Sequence, residues 1–178
     1  MQKIETRTLT RIAILTALLC IIGPLSLPIP ISPVPISLTQ LGVYAAVYTL
    51  GKKQGTLAVF LYLIIGTIGV PVFSGFAGGI GKLAGPTGGY LLGFAMMAWV
   101  LGTFVERWPE SRWFQALGML LGNLLVYVVG TVWLMVQAHL GLGAALMAGV
   151  IPYIAFDIIK AAIALGAGPT LMKKVGNQ

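Results

Sequence analysis

The stretch Ile151-Pro152-Tyr153-Ile154-Ala155-Phe156-Asp157-Ile158-Ile159-Lys160 decides how this chain is read, because it sets one acid and one base three residues apart in an otherwise apolar run. Helical geometry puts such a pair on one face, one above the other, so both charges can meet the same ligand or each other. A charge at bilayer depth costs roughly 2.5 to 3.5 kcal/mol on insertion scales, which makes an intramembrane ionisable pair a functional site by default. The competing reading is an internal salt bridge that only ties two helices together. Buried ion pairs are weak stability devices, so the functional reading is preferred.

The surrounding composition places that run in a membrane. Of 178 residues, 58% are hydrophobic and 8% charged, and the mean hydropathy is +0.97. A soluble single domain of this size cannot bury so much apolar surface, so the chain reads as an all-α integral membrane protein. The net charge of +7 comes from basic residues scattered between apolar segments in ones, twos and threes. They form no continuous patch, which argues against a nucleic-acid partner and assigns them to topology. Cys20, the lone cysteine, excludes an intramolecular disulfide.

Six apolar spans are expected in one transmembrane domain covering residues 1–178, at about Thr10–Leu27, Ser37–Leu50, Thr56–Phe73, Thr87–Val105, Trp113–Gln137 and Gly143–Met172. A cleaved signal peptide mimics the first, but further spans follow it and no small-residue cleavage site precedes the linker. The second is short for a hydrocarbon core that needs around 20 residues. Part of the preceding Pro28-Ile29-Pro30-Ile31-Ser32-Pro33-Val34-Pro35 is therefore expected within the membrane. Its prolines remove N–H donors and force extended or polyproline II backbone, which at that depth must be buried in protein or line a cavity. A rigid apolar lid and an ordinary connector both fit.

The N-terminus, the second and fourth loops and the C-terminus hold nine basic residues, whereas the first, third and fifth loops together hold only Lys82. The positive-inside rule then puts both termini in the cytoplasm and the proline and glycine-rich loops outside. At 1.5 Å per residue Asp157 lies roughly 20 Å in from the outer end of a span starting at Gly143, and if the Pro152 end opens toward solvent the pair floors an outward-facing pocket.

Other signals are weaker. Gly79-Ile80-Gly81-Lys82-Leu83-Ala84 formally matches G-x-G-x-x-A, but it follows no soluble strand and has no Ser or Thr after the lysine, which argues against a nucleotide site. Lys82 either faces an anionic group or is solvated. Gln40 and Asn123 are interhelical glue or pocket lining. Gly89 with Gly93, and Gly118 with Gly122, have the small-xxx-small spacing of close helix packing. His139 stands without a second histidine or an acid cluster, so neither a metal site nor acid–base catalysis is expected there. No ATPase motif and no nucleophile–base pair is present. The chain is expected to bind rather than catalyse, with no cofactor of its own. An intramembrane enzyme using Asp157 as acid or base, tuned by Lys160, is the alternative from another class.

Gly69-Val70-Pro71-Val72-Phe73, Ala84-Gly85-Pro86-Thr87-Gly88-Gly89-Tyr90-Leu91, and Pro152-Tyr153 followed by Asp157 and Lys160 resemble the BioY family over nearly the whole chain. Its members are the biotin-specific substrate-binding subunits (S components) of energy-coupling factor (ECF) transporters. The resemblance implies a cell-membrane protein of six spans and high-affinity biotin binding beneath the first and third outer loops. It also implies a transmembrane scaffold subunit and, through it, paired cytoplasmic ATPases. Carried onto this sequence, it gives Asp157 and Lys160 the biotin ureido group, since a carboxylate accepts from its N–H and an ammonium donates to its carbonyl. Asn123 or Ser74 supports them, the valerate carboxylate points to Lys82 or Gln40, and Phe73, Phe76 and Tyr90 are candidate walls. In Ala13-Ile14-Leu15-Thr16-Ala17 the two alanines are similar to the A-x-x-x-A face that docks on the scaffold. The same fold carrying another vitamin is the nearest alternative.

Overall fold

The computed structural model describes residues 6–30 and 32–176. Of the residues used for the charge-based topology, Lys3 and the side chains of Lys173 and Lys174 lie outside this description. Helix α1 (Thr6–Ile22) buries Ile12, Leu15, Thr16 and Leu19, the spacing of one helix face. It stops before Gly23-Pro24, because the residue preceding a proline is driven out of the helical region. Leu27, expected to end the first span, instead belongs to a short strand. Strand β1 (Ser26–Leu27) pairs antiparallel with β2 (Ile36–Ser37), Ser26 opposite Ser37 and Leu27 opposite Ile36. The fold is thus mostly helical with one small ladder, and the proline stretch forms the tip of its hairpin.

Helix α2 (Thr39–Thr67) contains the second and third expected spans, interrupted by Gly51 at φ 76°, a region that glycine enters without steric cost. A Cβ built on Gly55 would lie 2.9 Å from the Cα of Val47. Eight residues of continuous helix would separate those positions by about 12 Å, so limbs 39–50 and 52–67 fold back on each other. The basic turn expected over Gly51–Gly55 is therefore a one-residue break. Glu106 secures it by accepting the Lys52 N–H at 2.7 Å, while Lys52 Nζ sits 3.9 Å from the centre of the Trp99 ring.

Beyond the short α3 (Ile80–Ala84) come α4 (Gly88–Arg107) and α5 (Arg112–Ala138), which pack closely. Their glycines permit it: a Cβ on Gly93 would stand 2.9 Å from Val126 Cα, and one on Gly122 2.7 Å from Met97 Cγ. The small-xxx-small reading therefore holds as packing. The sixth expected span is not one rod. It consists of α6 (Leu142–Gly149), a 3-10 turn (Ile151–Tyr153) and α7 (Ile154–Gly176). Pro152 lacks the N–H that a continuous helix would need there.

Among the described residues, three segments, Gly88–Arg107, Arg112–Ala138 and Leu142–Met172, are long and apolar enough to cross a membrane. The core between the helices is built on Leu19, Tyr44, Tyr62, Met97, Leu101 and Met119. Ile21, Phe60, Leu120, Val136 and Ile158 are at least half exposed on the outside. Apolar patches on this scale mark a surface that meets lipid rather than water. At the end of the bundle that holds the α4–α5 loop, fully buried Gln115 donates to the Pro109 carbonyl at 2.7 Å and accepts from the Tyr48 hydroxyl at 3.0 Å.

Candidate functional site

The first turns of α7 bring Asp157 and Lys160 together, with Nζ 2.9 Å from Oδ1 and side-chain exposures of 13% and 10%. The bridge lies within α7 and so ties no two helices together, and the pair also lines a cavity. Lys160 donates further to Gln40 Oε1 at 3.3 Å. The Gln40 amide donates to Asn123 Oδ1 at 2.6 Å and to the Tyr44 hydroxyl at 2.9 Å, and Asn123 donates to the same hydroxyl at 3.1 Å. Tyr127 donates its hydroxyl to the other carboxylate oxygen of Asp157. Side chains from α2, α5 and α7 therefore form one polar floor. An ammonium has three donors and each carboxylate oxygen two acceptor sites, so one donor on Lys160 and acceptor sites on Asp157 remain for a guest.

Above this floor lies a cavity that is open at its mouth. Tyr90, Leu91 and Phe94 from α4 and Val126 from α5 supply apolar walls, and Ser74 and Lys82 contribute from the segment between α2 and α4. The hairpin contributes Val34, Pro35 and Ser37. That hairpin is fastened down. Tyr153 donates its hydroxyl to the Val34 carbonyl, and Ser32 Oγ donates to the Ala148 carbonyl while accepting the Val34 N–H at 2.9 Å. The Gly75 N–H donates to the Pro24 carbonyl at 3.1 Å, joining the α1–α2 and α2–α4 connections, and Trp133 Nε1 donates to the Gly85 carbonyl at 2.9 Å. Val34 and Pro35 of the proline stretch thus border the cavity and are anchored from α6 and the 3-10 turn. Partial burial pushes the Lys82 ammonium below the ordinary lysine value, a penalty that an anion beside it would offset.

Of the residues singled out from sequence, Gln40, Ser74, Lys82, Tyr90, Asn123, Asp157 and Lys160 line this one cavity. Gln40 stands with Lys160 on the floor, and Asn123 serves as interhelical glue and lining together. Phe73 and Phe76 are not among the lining residues. Phe73 is fully buried, edge-on to Tyr62 at 5.5 Å and pressed against Gly66. Phe76 is 68% exposed, turned outward where the backbone passes through positive φ at Gly75 and Phe76. Sequence reasoning missed Tyr44 and Tyr127. The available signal was a spacing of four, because Gln40 and Tyr44 share one helix face and Asn123 and Tyr127 another. On α1, Ala13 and Ala17 are exposed, away from the buried Ile12, Leu15, Thr16 and Leu19.

Fold and cavity together define the class, a membrane protein built around a cavity with an ionic floor, bordered by the α1–α2 hairpin. The sequence profile of the BioY family matches residues 1–177. The biotin transporter BioY of Thermotoga maritima is 40% identical over 89% of this chain and 91% of its own, and that of Rhizobium etli is 37% identical over 92% and 94%. A solved structure of the S-component for biotin from an ECF-type ABC transporter superposes with a TM-score of 0.86 at 33% identity, covering 94% of this chain and 91% of that one. The chain belongs to the BioY family.

Proposed function

We propose that this protein is the biotin-binding S component of an ECF-type transporter, and that the biotin ureido group is held at the Asp157–Lys160 pair. The observation that carries the reading is that pair on the cavity floor, retaining hydrogen-bonding capacity for a guest, in a chain of the BioY family. Asp157 accepts from a ureido N–H and Lys160 donates to the ureido carbonyl, both charge-assisted bonds away from water. Asn123 and Gln40 brace the lysine side of the floor. Tyr90, Leu91 and Phe94 cover the bicyclic ring and its chain, and Ser74 and Lys82 receive the valerate carboxylate. Gln40, the other sequence candidate for that carboxylate, is engaged by Lys160 and Asn123.

In this reading α1, the two limbs of α2, α4, α5 and the α6–α7 unit make six spans. Both termini face the cytoplasm, because basic residues concentrate at those ends and in the loops on that side. Ala13 and Ala17 form the docking face for a separate transmembrane scaffold, which links the chain to paired cytoplasmic ATPases. The protein itself performs no chemistry on biotin. Calorimetric titration of the purified chain with biotin and with other vitamins tests the reading, with one biotin bound per chain expected. Saturable binding of a different vitamin in place of biotin, or turnover of any of them, would refute it.

A further inference from the structure

The polar floor has a second side. Outside the bundle a groove runs between α5 and α7, bordered by Leu120 and Ile158, both well exposed on the apolar exterior. Its base consists of Asn123, Tyr127 and Asp157, which also line the ligand cavity. The partition between cavity and lipid is thus one side chain thick at this seam. The two helices touch sparingly along it, and among the described residues one side-chain hydrogen bond crosses it, from the Tyr127 hydroxyl to Asp157 Oδ2. The opposite oxygen of the same carboxylate is bound to Lys160.

We infer that Tyr127 is a positioning residue for ligand binding: its hydroxyl clamps Asp157 across the α5–α7 seam, fixing the carboxylate toward the cavity and sealing it from lipid. A carboxylate has two oxygens on one rotatable bond, and Lys160, only three positions along the same helix, holds just one of them. Without Tyr127 the other oxygen faces a groove walled by Leu120 and Ile158, where no water stands ready to replace the lost donor. Asp157 then turns to improve its contact with Lys160, and the acceptor geometry offered to the ligand is lost. The inference rests on the biotin reading above, because it concerns the acid proposed to accept the ureido N–H.

The test is a double-mutant cycle on the purified full-length protein, with biotin affinity measured for the native chain, Tyr127→Phe, Asp157→Asn and the double variant. Phe keeps the ring and its packing and removes only the hydroxyl. Loss of a hydrogen bond to a charged group predicts roughly ten- to hundredfold weaker binding for Tyr127→Phe. In the Asp157→Asn background the same substitution should cost at least about threefold less, since contacting residues couple. Unchanged affinity of Tyr127→Phe, or equal losses in both backgrounds within about twofold, would overturn the inference. Should Tyr127→Phe fail to fold, 3-fluorotyrosine at position 127 changes the acidity of the hydroxyl and scarcely its shape. Biotin affinity is then expected to shift by about twofold or more, a constant affinity counting against the clamp. Failure of the native chain to bind biotin would instead strike at the proposed function.

Discussion

Removing Lys160 alone, and then together with the charge of Asp157, separates a ligand site from a structural bridge. Lys160→Met deletes the donor to Asp157 Oδ1 and to Gln40 Oε1. The carboxylate keeps one partner, Tyr127, and is left as an uncompensated charge in a largely buried site. Breaking a buried pair from one side costs about 3 to 5 kcal/mol, so the ligand-free protein should melt well below the native chain. Biotin loses a charge-assisted bond as well, which predicts roughly 10- to 150-fold weaker binding from that contact alone. In the double variant Asp157→Asn/Lys160→Met the stranded charge is gone, and the amide still accepts from Tyr127. Replacing both members of a buried pair is often neutral, so thermal stability should return toward native. Affinity should not return, because neither charge-assisted bond to the ureido group exists. Melting curves of the ligand-free proteins and calorimetric titrations with biotin read the two effects separately. A double variant that recovers both stability and biotin affinity would refute the reasoning and leave the pair as a mere brace.

Other consequences follow from the loops and the outer surface. Lys82→Ala should weaken biotin roughly tenfold or more while leaving uncharged biotin amide unaffected, and equal losses for both ligands would remove Lys82 from the carboxylate site. Because burial already lowers the Lys82 pKa from 10.5, and an anion beside it raises the value again, affinity is full below the free-protein pKa and declines as pH rises through it. A biotin titration series in alkaline buffers should show that decline in the native chain and not in Lys82→Ala. Ser32→Ala removes the lid's bond to Ala148 without altering a cavity-lining residue, and biotin should dissociate about five- to tenfold faster. An unchanged dissociation rate in stopped-flow measurements would mean that the hairpin is not held by this bond. Ala13→Trp, on the exposed face of α1, should abolish biotin uptake by membrane vesicles containing the whole transporter while sparing binding by the isolated chain. Loss of both would identify the face as internal packing.

Much of the site was legible because membrane burial makes charge informative. Two opposite charges in an apolar run have few explanations, and Asp157 and Lys160 do pair and line a cavity. Lys82, nearly alone on its side by charge count, also reaches the cavity. What stayed hidden depended on backbone direction and on neutral hydroxyls. Nothing local told whether Gly51 would open a loop or reverse a helix in a single residue. Phe73 and Phe76 were indistinguishable as wall candidates because their roles hang on the positive φ of Gly75 and Phe76, which turns one ring into the core and the other outward. The last span was expected to run unbroken past Pro152, and both its interruption there and the anchoring of the Val34 carbonyl by Tyr153, 119 residues away, emerge only in the folded chain. Tyr127 escaped because a tyrosine in an apolar helix looks like core until the carboxylate beside it is seen.

The most direct test of the account is a structure of the biotin complex determined at a resolution that orients the ureido ring. The account predicts the ureido oxygen within hydrogen-bonding distance of Lys160 Nζ, a ureido N–H directed at Asp157, and the valerate carboxylate toward Lys82 beneath a closed hairpin. Biotin seated elsewhere, with the Asp157–Lys160 floor untouched by the ligand, would contradict it.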